Sequence, residues 1–133
     1  METLSDKLKP HQLEAKPKRK VLIIIDADPR TNNSRAAEAV RLAGGVCVWE
    51  QVEVNIVLHH AAAHALGEAA ADLPEGKMYK QFLPMVREKG GRVYVMPDDQ
   101  TMEALDTEVI LKNHLKEPAL AELAAEAAMV IRF

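Results

Sequence analysis

Residues 20–29, with the sequence KVLIIIDADP, decide the fold. An uninterrupted run of apolar and β-branched residues, here residues 21–25, is typical of a strand that is buried on both faces, as in a parallel sheet. Pro29 ends the extended segment because it has no N–H to donate to a neighbouring strand. Two carboxylates, Asp26 and Asp28, therefore follow directly after the carboxyl end of the first strand.

Extended and helical patterns alternate along the rest of the chain. Further strands are predicted over residues 52–58, 92–96, 109–111 and 129–133, and helices over residues 35–50, 61–71 in part, 81–89, 101–105 and 117–127. The first helix is expected to continue through Gly44 and Gly45. The helix that contains Pro84 is expected to begin near Gln81, so that the proline lies in its first turn. This alternation predicts a three-layer α/β/α domain around a mostly parallel five-stranded sheet.

Composition and charge exclude several classes of protein. The 133 residues suit one domain, and 48% apolar with 28% charged residues exclude general disorder. A single cysteine excludes an intramolecular disulfide and a four-cysteine zinc site. No apolar run approaches the ~18 residues of a membrane span, and the N-terminal residues lack the apolar stretch of a secretory signal. We therefore expect a cytoplasmic protein with no membrane partner.

The charge is unevenly distributed along the chain. Residues 1–19 form a basic leader, which we expect to be flexible, and residues 20–133 form a single domain with an acidic balance. That acidic balance argues against nucleic acid as a partner.

Titratable residues follow the predicted strands at the edge where open α/β sheets bind their ligands, beyond the carboxyl ends of the strands. We expect a ligand-binding pocket at this edge, lined by Asp26, Asp28, His59, His60, His64, Met96 and Asp98.

Two kinds of chemistry are compatible with the histidines at this edge. His60 and His64 are four residues apart, which places both on one face of an α-helix and suits two imidazole ligands of one metal ion. Alternatively, a histidine acts as a general base oriented by a carboxylate, with His59 or His60 paired to Asp28 or Asp98. The interpretation without a metal is preferred, because no glutamate separates the histidine pair and no cysteine lies nearby. No glycine-rich nucleotide-binding motif is present, and no cofactor is expected.

Cys47 is the only thiol of the chain, and it lies between Val46 and Val48 in the first helix, away from the strand ends. A reactive cysteine needs an electropositive and partly exposed setting. We therefore predict that Cys47 is a buried packing residue, with a redox thiol as the alternative.

Five segments, taken in order, resemble the DsrE/DsrF-like family of small sulfur-relay proteins with the YchN-like fold. They are VLIII at residues 21–25, AAEAVRLA at 36–43, LHHAA at 58–62, FLPMVREKGGRVYV at 82–95 and EAAMVIRF at 126–133. The resemblance implies a five-stranded α/β sheet and assembly into homo- or hetero-oligomers, often trimers or hexamers. The expected partner is a second copy of the chain or a related subunit, and the alanine-rich helix over residues 119–128 offers a face for self-association.

Sulfur-transferring members of this family carry a persulfide on a cysteine just after the third strand, in a Val-Tyr-Val-Cys-Pro-like context. The matching position here is Met96, in VYVMP at residues 93–97. A thioether has no ionisable S–H and cannot hold a persulfide. We therefore expect an oligomeric binding or accessory subunit without persulfide chemistry. The alternatives are a small enzyme with a His/Asp site at the sheet edge, and sulfur transfer through Cys47.

Overall fold

A computed structural model of the chain describes residues 18–32 and 34–133. Residues 1–17 of the predicted leader lie outside the described residues, and Arg19 already begins the first strand. The described chain forms four strands, which are β1 (Arg19–Ile25), β2 (Val52–His59), β3 (Val93–Met96) and β4 (Met129–Arg132).

The helices of the described chain connect these strands. The α-helices are α1 (Arg35–Cys47), α2 (Gly76–Glu88), α3 (Asp99–Ala104), α4 (Thr107–Asn113) and α5 (Glu117–Glu126), and two 3₁₀ helices cover His60–Leu66 and Ala70–Asp72. Among the described residues, no helix combines the length and the apolar composition that crossing a membrane requires.

The strand β1 lies inside the sheet, where it pairs in parallel with β2 on one side and β4 on the other. The full strand order is β3-β2-β1-β4, and β3 is also parallel to β2. Ile23 and Ile25 belong to a core covered by α1 and α2, whereas Leu22 and Ile24 belong to a smaller core covered by α5. This burial on both faces explains the uninterrupted apolar sequence of β1 and confirms the predicted α/β architecture.

The described sheet has four strands rather than the predicted five, because residues 109–111 lie in the helix α4. Val109 and Ile110 pack against the larger core, while Leu111 is 78% exposed. A run of three apolar residues is too short for its pattern to distinguish a strand from a helical turn. After α4 the chain reaches the edge of β3, where the Leu115 N–H donates to the Val95 carbonyl at 3.0 Å.

The helix α2 begins at Gly76 rather than near Gln81, so Pro84 lies inside the helix and not in its first turn. An interior proline removes one backbone hydrogen bond and costs about 3 kcal/mol. The helix persists because one face buries Tyr79 and Leu83, while Pro84 lies on the exposed side. Tertiary burial therefore outweighs the local preference of the proline to stand at a helix start.

The helix α1 runs through Gly44 and Gly45 as predicted and ends at Cys47. The two glycines have different surroundings. A β-carbon at Gly44 would overlap the ring of Phe82 in α2, whereas a β-carbon at Gly45 would meet nothing within 4 Å. Gly44 therefore allows α1 and α2 to approach closely.

The adjacent glycines provide a test of this contact. Gly44→Ala is expected to lower the free energy of unfolding by about 1–3 kcal/mol, because the added methyl group overpacks the contact with Phe82. Gly45→Ala is the matched control and is expected to raise it by about 0.5–1 kcal/mol, because alanine favours the helix. Urea unfolding followed by circular dichroism measures both values, and equal effects would contradict the close approach of the two helices.

Candidate functional site

The carboxyl ends of β1 and β2 lie side by side, because the parallel register aligns Ile25 with Leu58. The residues that follow these two are Asp26 and His59, and their polar side chains are in contact. The distance between His59 Nδ1 and Asp26 Oδ1 is 2.6 Å. The side chain of His59 is 16% exposed and that of Asp26 is 38% exposed. We call this pair the Asp26–His59 dyad.

The second carboxylate oxygen of Asp26 is bound from the other neighbouring strand. Arg132 of β4 donates to Asp26 Oδ2 through Nε at 3.2 Å, and its Nη2 lies at 3.2 Å from the same oxygen. Burial by itself raises the pKa of Asp26, but the hydrogen bonds from His59 and Arg132 outweigh it, so the pKa lies below its ordinary value. Asp26 is therefore ionised at neutral pH, between a guanidinium and an imidazole.

The ionised carboxylate determines which nitrogen of His59 carries the proton. A carboxylate without a proton can only accept hydrogen bonds, so Nδ1 must be the donor in the 2.6 Å contact. In the neutral imidazole the other nitrogen, Nε2, is then the basic atom. The dyad thus presents one oriented proton acceptor at the edge of the sheet.

His60 lies directly against the dyad. Its ring centroid is 3.7 Å from that of His59, and the two ring planes differ by 34°. The backbone of His60 has a φ of +55°, in the left-handed region that is uncommon for residues other than glycine. Such strained conformations concentrate at functional sites, where the surrounding structure imposes them.

His64 does not join this group. The segment His60–Leu66 is a 3₁₀ helix rather than an α-helix. With three residues per turn, positions four apart differ by about 120° around the axis, instead of about 40° in an α-helix. Among the described residues, the group that could hold a metal ion consists of Asp26, His59 and His60. Burial, together with the nearby Arg30, lowers the pKa of His64.

The carboxylates that the sequence suggested as partners of a histidine are engaged elsewhere. Asp28 forms a two-pronged contact with Arg30, with Nε–Oδ1 at 3.0 Å and Nη2–Oδ2 at 2.8 Å, and this contact lowers the pKa of Asp28. Asp98 caps the helix α3 by accepting from the Thr101 N–H at 2.9 Å, and hydrogen bonds from Thr101 lower its pKa. The histidine–carboxylate pair of this edge is therefore made by Asp26 instead.

Two open clefts meet at the dyad. One, of about 350 Å³, is lined by residues that include His59, His60, Met96, Asp98, His114 and Lys116. The other, of about 510 Å³, is lined by residues that include Asp26, Asp28 and Arg132. Six of the seven predicted pocket residues thus line one of these clefts. His64 is the exception.

Sequence reasoning missed Arg132, and it placed His114 at the same edge but left it out of the predicted pocket. A signal existed for Arg132, since it is the single charged residue in the apolar closing segment MVIRF. Its partner could not be known, because the contact with Asp26 joins residues 106 positions apart. His114 follows the segment that was predicted as a strand and is a helix.

Cys47 lies far along the chain from these residues, in the last turn of α1. It is buried, and its thiol donates to the Gly44 carbonyl with a sulfur–oxygen distance of 3.3 Å. Burial raises the pKa of Cys47. The prediction of a buried packing residue is confirmed.

Comparison with known proteins identifies the fold. No protein-family model matches the chain, and no curated protein sequence matches it. Among solved structures, the crystal structure of the ychN protein from E. coli is similar, with a TM-score of 0.63 and 18% sequence identity. The similarity covers 86% of this chain and 99% of that chain. At this identity the similarity shows the fold alone, which is a YchN-like α/β fold.

The contacts of Asp26 predict how stability depends on pH. Because its pKa is lowered in the folded protein, the ionised carboxylate stabilises the fold at neutral pH. This contribution is lost as the pH falls below the range of a free aspartate, near ~3.9. Asp26→Asn should lower the free energy of unfolding at pH 7 by about 1 kcal/mol, a modest value because the carboxylate is partly exposed.

Urea unfolding at several pH values between 7 and about 3 measures this effect. The difference between the wild type and Asp26→Asn should shrink towards zero at the acidic end. Asp72→Asn, at an exposed residue of the second 3₁₀ helix, is the control and should change little. A difference that stays constant over this range would contradict the assignment.

Proposed function

We propose that this protein is a DsrE-like subunit that binds a small polar ligand in the cleft at the carboxyl end of its sheet. His59 Nε2 would be the atom that accepts a proton or hydrogen bond from that ligand. One observation carries the proposal: the 2.6 Å contact between His59 Nδ1 and Asp26, whose other oxygen is bound by Arg132.

The arrangement supports this function because it orients an imidazole that would otherwise change its tautomer and rotate. Asp26 holds the proton on Nδ1 and stabilises the imidazolium that forms when Nε2 accepts a proton. The hydrogen bonds from His59 and Arg132 in turn lower the pKa of Asp26 and so favour its ionised form. A cleft of about 350 Å³ beside His59 lies within the size range of small-molecule sites.

A second candidate function is a small enzyme in which His59 is the general base. The same dyad favours it, since a general base needs an orienting partner and a nearby reactant. His59 is one of the two histidines considered from the sequence, and its hydrogen-bond partner is Asp26 rather than Asp28 or Asp98. A binding subunit and an enzyme would both first bind the ligand at His59, so one set of variants tests both functions.

Persulfide chemistry is not part of the proposal. At the end of β3, where the resembling family carries its cysteine, this chain has Met96, which is 8% exposed in the cleft. Its thioether has no S–H to carry a sulfur atom. Sulfur transfer through Cys47 lacks support as well, because this thiol is buried and its pKa is raised.

Reactivity towards diethyl pyrocarbonate, which acylates neutral imidazole nitrogens, tests the proton-accepting site. At alkaline pH, where the rate no longer depends on pH because both imidazoles are neutral, His59 should react faster than the exposed His114, although the side chain of His59 is only 16% exposed. Asp26→Asn should slow the reaction of His59, because it removes the carboxylate that raises the basicity of Nε2, and should leave His114 unchanged. Peptide mass mapping measures both rates.

Fragment binding then separates ligand recognition from mere reactivity. A set of small carboxylic acids and alcohols is screened by ligand-observed NMR on the wild type, His59→Gln and the control His64→Gln. Binders should be lost only in His59→Gln, and they should slow the acylation of His59. If His59 reacts more slowly than His114, or if no fragment depends on His59, the proposal is wrong.

Self-association is the second part of the proposed function, as a homo-oligomer such as a trimer or hexamer. The strand β4 supports it, because it has an unpaired edge in the described sheet and carries the exposed apolar residues Met129 and Val130. Exposed apolar surface beside an open strand edge is typical of an interface.

Light scattering should give a multiple of the 14.7 kDa chain mass at micromolar concentration. Val130→Lys should shift the mass towards that of the single chain. Leu111→Lys, at an apolar residue of α4 that is 78% exposed, is the matched control and should leave the mass unchanged. A wild-type mass of 14.7 kDa would contradict self-association.

A further inference from the structure

The geometry points to a binding site for one divalent transition-metal ion at the group Asp26, His59 and His60. This inference goes beyond the proposed function, because it concerns an ion rather than an organic ligand, although both would use His59 Nε2. His59 and His60 would supply the two imidazole ligands, and Asp26 would orient His59 from behind.

The separations within this group favour a shared ion. One ligand atom from each of the three residues lies within 4.8 Å of the others. Two ligands of a tetrahedral ion with bonds of about 2.0–2.1 Å lie about 3.3 Å apart. To share one ion, the two imidazoles would have to adjust their separation to this value. The exposed ring of His60 would make that adjustment, because His59 is held by its hydrogen bond.

The contact between Asp26 and His59 assigns different positions to these two residues. Their 2.6 Å hydrogen bond is shorter than the separation of two ligands on one ion, so Asp26 Oδ1 and His59 Nδ1 cannot both bind it. In metal sites, a ligating histidine characteristically donates its other N–H to a carboxylate, which fixes the tautomer and raises the basicity of the ligating nitrogen. Asp26 provides this partner, and Nε2 of His59 is left for the metal.

His60 provides the second imidazole. Its left-handed backbone places its ring against that of His59, with centroids 3.7 Å apart. Asp98 and His114 also line the cleft beside His59 but lie outside the group of mutually close ligand atoms.

The donor set indicates the class of ion. Imidazole nitrogen suits Zn²⁺, Ni²⁺ and Cu²⁺, whereas Mg²⁺ and Ca²⁺ require oxygen ligands in larger number. Zn²⁺ is therefore the probe, and Mg²⁺ is the negative control.

Calorimetric titration of the untagged full chain with zinc chloride tests the site. The wild type should bind one equivalent. His59→Gln and His60→Asn should each weaken binding at least tenfold, and Asp26→Asn should weaken it by roughly 10–100-fold, because it removes the orienting carboxylate. Asparagine is chosen at position 60 because it tolerates the left-handed backbone, so that only the imidazole is lost.

The matched control for His60→Asn is His64→Asn, which should bind zinc like the wild type. His11→Gln removes the one histidine outside the described residues and should also have no effect. Circular dichroism of each variant checks that it is folded. Unchanged zinc affinity in folded His59→Gln or His60→Asn would overturn the inference, as would equal weakening by His64→Asn.

A spectroscopic measurement keeps the test independent of calorimetric heats. Cobalt(II) added in place of zinc should give visible absorption bands from nitrogen coordination, and these should be lost in His60→Asn and retained in His64→Asn. Zinc should also protect His59 from diethyl pyrocarbonate in the wild type. If zinc fails to bind while His59 still reacts fast in an Asp26-dependent way, the metal site is wrong and the proposed function stands.

Discussion

Parallel pairing of β1 with β2, in the register that aligns Ile25 with Leu58, is the constraint on which the rest of the structure depends. Alternate residues of β1 fill two cores on opposite faces of the sheet. A slip of one residue would exchange the faces of all these side chains, so packing specifies the register strongly. The same register makes Asp26 and His59 neighbours at the carboxyl ends of their strands. The packing that stabilises the sheet therefore also builds the candidate site.

At this edge, side chains from three neighbouring strand segments are hydrogen-bonded in a row. The order is the cation Arg132, the anion Asp26 and the imidazole of His59. Each member determines the state of the next: the guanidinium favours the ionised carboxylate, and the carboxylate fixes the proton of the imidazole on Nδ1. The outcome is a single basic atom, Nε2, beside an open cleft. A proton, a polar ligand and a metal ion would all use this atom, so they are alternative occupants of one position.

Several features of the fold and the site were predictable from local sequence, and the errors have identifiable causes. The buried strand β1, the continuation of α1 through Gly44 and the buried Cys47 are confirmed, because each follows from patterns within a few residues. The prediction of a fifth strand over residues 109–111 was wrong because a run of three apolar residues fits a helical turn equally well. The predicted start of α2 was wrong because burial of one helix face outweighs the preference of Pro84 for the first turn of a helix. The pairing of His60 with His64 assumed an α-helix, and the 3₁₀ helix turns the two side chains apart.

By itself, the sequence determined the alternation of strands and helices, the burial of β1 on both faces, and the edge at which polar residues gather. These properties depend on periodicity and on turn residues, which are local. Only the tertiary structure decided which carboxylate meets His59. That contact spans 33 residues, and the contact of Asp26 with Arg132 spans 106. Such partners depend on strand order and register, which result from the simultaneous packing of both faces of the sheet, and no local pattern in the chain contains that information.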